Sequence, residues 1–358
     1  MTVLAEQGRL REFIASIFLK SGSDAREARE IADHLVDANL AGHDSHGVGM
    51  VPAYMLHLKG GWVVPNRQPV RAGGIEPFAV FDGQMGYGQP VLNAVVSQAA
   101  EIARRHGVAL VTTRNVQHIG RVGTYAEQLL ARGLMSIHFV NAVYEQASVA
   151  PFRGSDPRLM TNPVCIAIPG PKPVLLDMAT STIALGKVRV AYNKGVPVAP
   201  GRLIDHTGQP TTDPKVMFEA PRGAQTAFGE HKGWALAFVA EILGGALTGG
   251  PRSGVAPGEK HGLVNGMFSI VLEPGRLVDG GLFDDAVAHL TEWVKASPAA
   301  NADEPVLVPG EPERASRAAR GRDGIPIDAT TWRQIGACAR AVGLEVPAFA
   351  EIDDASGS

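Results

Sequence analysis

Residues 92–140 read LNAVVSQAAEIARRHGVALVTTRNVQHIGRVGTYAEQLLARGLMSIHFV and decide the fold class, because helical and strand patterns alternate along them. Helical spacing of apolar residues gives way to a short apolar run, and the same succession then repeats. The alternation predicts an α/β fold. The four predicted elements are a helix over Leu92 to His106, a strand over Val108 to Thr112, a helix over Tyr125 to Ala131 and a strand over Met135 to Val140.

Further along the chain, the apolar runs Pro163 to Ile168 and Val174 to Leu176 are separated only by Gly and Pro turns. Such a short connection predicts antiparallel pairing and therefore a mixed sheet. Gly233 to Leu247 is apolar on nearly every face, which predicts a buried helix. Pro298 to Gly324 is rich in Pro, Arg and Glu, which predicts a long surface connection.

Helical patterns also flank this sheet at both ends of the chain. Leu10 to Phe18 carries one apolar stripe, and Asp24 opens a second helix as an N-cap. The final helix, opened by Asp328, is expected to return to this N-terminal layer. The prediction is a helical layer from residues 1–72 plus 325–358, with residues 73–324 binding cofactor and substrate.

Composition excludes several classes of protein. The 358 residues carry 33 Lys and Arg against 36 Asp and Glu, a formal charge of -3, so a nucleic acid partner is not expected. Cys165 and Cys338 are too few for a disulfide framework. Residues 1–20 contain charges and show neither a signal-peptide core nor a membrane span. We therefore expect a cytoplasmic protein without a membrane partner.

Common catalytic signatures are missing from the sequence. No G-x-G-x-x-G follows a strand, and no phosphate-binding G-x-x-x-x-G-K-[ST] occurs. The sequence also has no H-E-x-x-H, no G-x-S-x-G and no Cys-His zinc pattern. Any dinucleotide site must therefore be built differently from the usual Rossmann cradle.

Polar residues nevertheless gather in the stretch AGHDSHGVGM, residues 41–50, where a helix ends at two histidines. Imidazole titrates near neutrality, so His46 could exchange a proton with a carbonyl or alcohol. A capped helix end with a solvated histidine explains the same residues. His43 and His46 could also bind a metal, but no third ligand lies at suitable spacing.

A second polar stretch, RNVQHIGRVGTYAE at residues 114–127, places His118 in a turn between a strand and a helix. Such turns are favoured ligand sites in α/β folds, and glycines there let a ligand approach the backbone. An ordinary loop histidine is the alternative. In LLDMATSTIALGKV, residues 175–188, a strand delivers Asp177, which could orient a histidine or merely cap the next segment.

The last candidates lie nearer the carboxyl end. Lys232 lies where a helix begins, and its positive charge is unfavourable at the positive end of the helix dipole. An anionic cofactor bound by Lys232 would compensate for this repulsion. Gly310, Glu311 and Pro312 could set a carboxylate against sugar hydroxyls, although a charged surface loop would look the same.

Taken in order, DSHGVGM, NVQHIG, TNPVCIAIPG, LDMATSTIALGK, GEHKGWALA and PGEPE resemble the malate/lactate dehydrogenase family that lacks a Rossmann domain. The resemblance spans most of the chain. It implies a non-Rossmann α/β fold with a mixed-sheet cofactor domain, a helical layer from both termini, and a homodimer. It also implies NADP or NAD as cofactor and a small-molecule substrate.

The resemblance assigns roles to positions that match the family's motifs. His46 and His118 become the acid/base and substrate-orienting pair, with Asp177 as a carboxylate partner; the motifs leave open which histidine donates the proton. Further substrate contacts are implied at Ser45 and Tyr54. The implied cofactor contacts are Asp177, Met178, Ala179, Lys232, Gly310, Glu311 and Pro312.

Two positions depart from the family pattern. Met50 stands where the family commonly has an Arg suited to gripping a carboxylate, so Arg121 would have to substitute or the substrate would be less anionic there. Ala142 replaces a hydroxyl residue, which removes one possible cofactor hydrogen bond.

The leading hypothesis is hydride transfer between nicotinamide and a 2-oxo or 2-hydroxy acid. Reduction of a cyclic imine is the alternative, followed by a catalytically silent relative and, last, a metal-dependent hydrolase. No metal is expected.

Overall fold

The computed structural model describes residues 2–254 and 262–352, apart from the side chains of Asn193 and Lys194. Met1 and residues 255–261 and 353–358, which the predicted two-part division includes, lie outside the described residues. Within the described ranges, the helices are all too short or too polar to cross a membrane.

The described chain contains strands and short and long helices in alternation. The strands are β1 (Thr2–Ala5), β2 (Val70–Gly73), β3 (Phe78–Asp82), β4 (Val108–Gln117), β5 (Met135–Val143), β6 (Val164–Ile168), β7 (Val174–Met178), β8 (Leu203–Ile204), β9 (Pro210–Thr211), β10 (Ala224–Gln225), β11 (Val264–Leu272), β12 (Ile325–Asp328) and β13 (Ala350–Ile352). The helices are α1 (Gln7–Lys20), α2 (Ala25–Leu40), α3 (Val51–Lys59), α4 (Gly88–His106), α5 (Gly123–Leu130), α6 (Leu185–Lys194), α7 (His231–Glu241), α8 (Gly280–Lys295), α9 (Glu311–Asp323) and α10 (Ala329–Ala341).

A seven-stranded sheet forms the centre, in the order β2-β3-β4-β11-β5-β6-β7. Strands β3 and β4 pair in parallel, and the other described neighbours in this sheet pair antiparallel. The hairpin of β6 and β7 aligns Val164 with Met178 and Ile168 with Val174. The mixed sheet and the antiparallel hairpin predicted from the sequence are therefore confirmed.

Helices α4 and α5 cover part of this sheet with their apolar stripes. Leu92 on α4 and Leu129 on α5 are fully buried in one core with Phe81 and Val111 from the strands. Helix α7 continues as a π-helical turn, Ile242–Ala246, that lies against β5. A Cβ at Gly244 would lie only 2.4 Å from the Asn141 backbone nitrogen, so glycine permits this close approach.

A second core joins the two ends of the chain, as predicted. Helices α1, α2, α3 and α10 share buried side chains that include Ile17, Leu35, Tyr54 and Ile335. Strand β1 pairs antiparallel with both β12 and β13. The expected N-cap is present, because the Asp24 side chain accepts a hydrogen bond from the Glu27 backbone N–H at 2.7 Å.

A small unit with its own core lies beside the turn that follows α2. The three-stranded sheet of β10, β8 and β9 has its own cluster of buried side chains with α6, including Val188, Leu203 and Met217. The start of α6 contacts the turn that follows α2, since a Cβ at Gly186 would lie 2.8 Å from the Cβ of Ser45.

Two expectations from the sequence are wrong in this single chain. The segment Gly233 to Leu247 is helical but only partly buried, since Ala237 and Ala240 are fully buried whereas Phe238 is 49% exposed and Leu247 55%. An apolar composition indicates that the side chains of a helix are to be buried, but not which surface buries them.

The predicted surface connection Pro298 to Gly324 contains helix α9. Its start has Gly310 at φ +95° and Pro312 in the first turn, and its end is rich in Arg, as helix termini favour. The high polarity of this segment predicted a connection without a helix, although both helix ends carry these signals.

Candidate active site

The turn after α2 carries His46, and a polar network fixes its shape. The Asn39 side chain donates to Asp44 at 2.6 Å and accepts from the Val48 backbone N–H at 2.8 Å. Arg320 on α9 donates to both carboxylate oxygens of Asp44, at 2.6 and 3.0 Å. The Ser45 hydroxyl lies 2.9 Å from Nδ1 of His46. Asp44 therefore supports the turn rather than the chemistry.

His43 points to a different neighbour from His46. Its Nε2 lies 3.2 Å from a Glu313 carboxylate oxygen on α9. The side-chain hydrogen bond from His43 lowers the pKa of Glu313. Among the residues that the structure describes, no group of three His, Cys, Asp or Glu side chains could hold a metal ion. The weak alternative in which His43 and His46 bind a metal thus gains no third ligand among the described residues.

His118 lies beyond the end of β4, and two contacts hold its backbone. The His118 N–H donates to the Leu263 carbonyl at 3.1 Å, and the next N–H, of Ile119, donates to the Asn265 side chain at 3.0 Å. The structure brings the two predicted histidines together: the His46 and His118 rings stack with centroids 5.5 Å apart and planes 22° apart.

Both imidazoles of this pair have lowered pKa values. Burial is the main cause for each, and it lowers the pKa of His46 to about 4 despite the opposing charge of Asp177. Burial also lowers the pKa of His118 well below its usual range, helped by nearby His46 and His34. Both rings are therefore neutral at neutral pH.

Asp177 lies at the end of β7, largely enclosed by donors. One carboxylate oxygen accepts from the Gly123 backbone N–H at 2.8 Å and lies 3.5 Å from Nε of Arg121. Arg121 in turn forms an ion pair with Glu127 at 2.9 Å. Burial opposes the Arg121 charge, but the two carboxylates outweigh it and raise the Arg121 pKa.

The Arg121 guanidinium is enclosed, with a side-chain exposure of 0%. Its Nη2 has no hydrogen-bond partner among the described residues. The Arg121 backbone N–H donates to Nε2 of buried His34 at 2.9 Å. Because Asp177 and Glu127 already flank this cation, its predicted use as a substitute for the missing Arg stays a prediction.

Met50 ends a short 3-10 turn, Val48–Met50, just before α3. It is half-buried and packs against the core formed by the two chain ends. A thioether there offers a flexible apolar surface and no charge. Of the other predicted substrate contacts, Ser45 is half-buried, whereas the Tyr54 hydroxyl is buried against Nδ1 of His118 at 2.8 Å.

Several predicted cofactor contacts lie along β7, with Met178 and Ala179 at its end and Gly310 beside its start. Met178 and Ala179 are half-buried there. Gly310 packs beside the same strand, where the Leu175 N–H donates to the Pro309 carbonyl at 3.2 Å. Glu311 forms an ion pair with Lys295 and accepts from the Val308 N–H at 3.0 Å, while Pro312 is exposed in the first turn of α9.

The remaining predicted contacts are linked to this edge through the backbone. The Phe228 N–H, shortly before Lys232, donates to the Thr180 carbonyl at 3.1 Å. Lys232 is exposed at the start of α7 and has no ion-pair partner among the described residues. The buried Ala142 N–H donates to the Asn162 side chain at 3.2 Å.

These residues suit a nicotinamide dinucleotide. Half-buried carbon surface at Met178 and Ala179 suits a flat ring, and the unpaired Lys232 ammonium suits a phosphate. Its position at a helix start, where a cation is otherwise unfavourable, supports an anionic ligand.

Three buried polar residues beside the site were missed from the sequence: Gln89, His34 and Asn265. His34 interrupts an apolar helical stripe next to Leu35, whereas Gln89 lies just before the predicted helix start at Leu92. A polar residue in a predicted core position requires a partner, and that signal was available.

Comparison with known proteins places this arrangement among characterised enzymes. The family model for malate/L-lactate dehydrogenase matches residues 6–336. Hydroxycarboxylate dehydrogenase B of Escherichia coli K12 is 44% identical over 339 residues, which cover 94% of this chain and 93% of the relative. The Δ1-pyrroline-2-carboxylate/Δ1-piperideine-2-carboxylate reductase of Pseudomonas putida is 33% identical over 80% of this chain and 84% of its own.

A solved structure agrees with the sequence comparison. Malate dehydrogenase of Pyrococcus horikoshii superposes with a TM-score of 0.86 at 29% identity, covering 97% of each chain. The resemblance drawn from the six motifs and the fold it implied are confirmed. This chain is an oxidoreductase that belongs to the malate/L-lactate dehydrogenase family.

Proposed function

We propose that this protein transfers a hydride between a nicotinamide cofactor, NADP or NAD, and the C2 carbon of a 2-oxo or 2-hydroxy acid. The observation that carries the proposal is the stacked pair of His46 and His118, with the Asp177 carboxylate acting on His46. A dehydrogenase needs one group to exchange a proton and one to orient the reacting oxygen, and this pair supplies both.

The chain's own residues account for the proton. The nicotinamide, when bound, supplies or accepts the hydride. In the oxidative direction a neutral imidazole accepts the hydroxyl proton, and the lowered pKa values keep both rings in this neutral form at neutral pH. In the reductive direction the same imidazole must first be protonated, and the nearby Asp177 charge favours that cation.

The proposal is tested by following nicotinamide absorbance with NADH and NADPH across a panel of 2-oxo acids. We expect His46→Gln or His118→Gln to lower turnover by about two to four powers of ten for the residue that exchanges the proton. His289→Gln is the control, because this histidine is exposed on α8 and does not belong to the stacked pair. Full activity in both variants would contradict the assignment.

A second candidate, reduction of a cyclic imino acid, is favoured by Met50. Where the family commonly has a cation, this chain presents an apolar, half-buried side chain. Cyclic imines with a single carboxylate carry less negative charge at that end than a dicarboxylate. Including such imines in the same panel separates the two candidates, because oxo acids would be inert if the imine is the substrate.

The family resemblance also implies a homodimer, and we propose the exposed apolar side of α7 and its π-helical turn as the contact. Phe238, Val239, Ile242 and Leu247 are 42–55% exposed in the single chain. Burying such a surface against a second copy is favourable. Light scattering should show a dimer that Phe238→Asp converts to monomer; a wild-type monomer would overturn this proposal.

Free Cys165 and Cys338 agree with the proposed cytoplasmic location.

A further inference from the structure

We propose that Gln89 and Tyr54 form a relay that fixes His118 as the neutral tautomer protonated on Nε2. In that form His118 donates a hydrogen bond to the substrate oxygen or nitrogen, and His46 is the residue that exchanges the proton. The inference rests on the proposed function and deepens it, because it assigns the two roles that the motifs leave open.

The first step is the orientation of the Gln89 amide, which is fully buried. Its nitrogen lies 3.1 Å from the His118 carbonyl oxygen and 2.7 Å from the Tyr54 hydroxyl. The opposite amide orientation would bring two acceptor oxygens together at the His118 carbonyl. The Gln89 amide nitrogen therefore donates to both neighbours.

The second step is the direction of the Tyr54 hydrogen bond. Because its oxygen accepts from Gln89, its single hydrogen must find an acceptor elsewhere. Nδ1 of His118 lies at 2.8 Å, whereas the His118 carbonyl lies at 3.4 Å and already accepts from Gln89. Burial raises the pKa of Tyr54, so the hydroxyl keeps its proton. Tyr54 thus donates to Nδ1.

The third step follows from the imidazole itself. A neutral ring carries one proton, so an Nδ1 that accepts a hydrogen bond leaves that proton on Nε2. The charged form is disfavoured because burial is reinforced by three other histidines that act on His118: His46 in the turn, His34 on α2 and His57 on α3. Nε2 of His118 has no protein partner among the described contacts, so it is available to a ligand.

His46 differs from His118 in the charge it faces. Asp177 favours the His46 cation, although burial outweighs it in the free protein. Protonated His46 can release its proton to the substrate oxygen or nitrogen in reduction, and neutral His46 can take it back in oxidation. His118 keeps its proton throughout and binds the same atom in both directions.

The decisive measurement is the tautomer of His118 in the wild-type protein. Long-range proton–nitrogen spectra of histidine labelled with nitrogen-15, assigned with His118→Gln, should show a neutral ring protonated on Nε2 across neutral pH. Protonation on Nδ1, or a charged ring, in the wild-type protein would overturn the inference.

Variants add a kinetic test. Tyr54→Phe removes the donor to Nδ1, so we expect mixed tautomers and a kcat/KM about ten-fold lower, with the pH dependence that reports His46 unmoved. Tyr87→Phe is the matched control, because the Tyr87 hydroxyl lies in the same aromatic cluster, buried and without a partner among the described residues. It should leave the spectrum and the rate within about two-fold of wild type. A Tyr54→Phe spectrum identical to wild type would contradict the relay.

Failure of the relay and failure of the proposed function give different results. Turnover of an oxo or imino acid with His118 protonated on Nδ1 would reject the relay alone. Protonation on Nε2 without turnover of any such substrate would reject the proposed reaction alone.

Discussion

Burial of His34 predicts how the free energy of unfolding of this protein changes with pH. It is buried on α2, and its Nε2 accepts a hydrogen bond from the Arg121 backbone N–H at 2.9 Å. Burial is the first cause of its lowered pKa, followed by the Arg121 charge and His46, and together they bring it from 6.5 to about 3. Between these two values the unfolded chain binds a proton on His34 that the folded chain excludes.

The sign and size of the effect follow from this difference. His34 imposes no penalty above the unfolded pKa, and stability falls as the pH drops below 6.5 towards the folded value. From about pH 7 to about pH 5 the loss is about 2 kcal/mol, because the unfolded ring is almost fully protonated at the lower pH. The folded pKa affects this figure little, provided it stays well below 5.

The assay is urea unfolding of wild type and His34→Gln at both pH values, with refolding checked. We expect the variant to lose about 2 kcal/mol less than wild type on acidification, whatever its stability at pH 7. His289→Gln, at an exposed position on α8, is the control and should follow wild type. An equal loss in His34→Gln and wild type would refute the view that His34 stays neutral in the folded protein.

Three further perturbations test the site. Gly123→Ala would place a Cβ 2.7 Å from the Asp177 carboxylate, so we expect thermal unfolding to report about 1–3 kcal/mol less stability, with no such loss in Gly275→Ala, whose Cβ meets nothing within 4 Å. Met50→Arg should lower KM for a dicarboxylate substrate by about ten-fold or more through charge-assisted bonding, and an unchanged KM would place position 50 away from the substrate. Ala142→Ser should tighten cofactor binding by about five-fold in a calorimetric titration, unless no cofactor atom faces this residue.

Much of the fold could be read from local sequence signals. The alternation over residues 92–140 predicted α4, β4, α5 and β5, since each element has its own periodicity. Strand order could not be read in this way: β11 inserts between β4 and β5 from more than a hundred residues away. Strand pairing over such a distance is not visible in the local periodicity of the sequence.

In the site, too, local sequence signals identify residues but not how these residues contact one another. Glycine-flanked histidines and the strand-end carboxylate predicted His46, His118 and Asp177, but not that the rings stack. Arg121 was expected to face the substrate, and its pairing with Asp177 and Glu127 depends on three separate elements meeting in space. The division into residues 1–72 plus 325–358 and residues 73–324 stays a prediction.

Helix α9 contacts both β7 and the turn that carries His46. The residue before its start, Gly310, packs against β7, where the cofactor is proposed to bind. Glu313 contacts His43, and Arg320 donates hydrogen bonds to Asp44, in the turn that holds His46. A ligand that shifts the start of α9 is therefore expected to shift this turn as well.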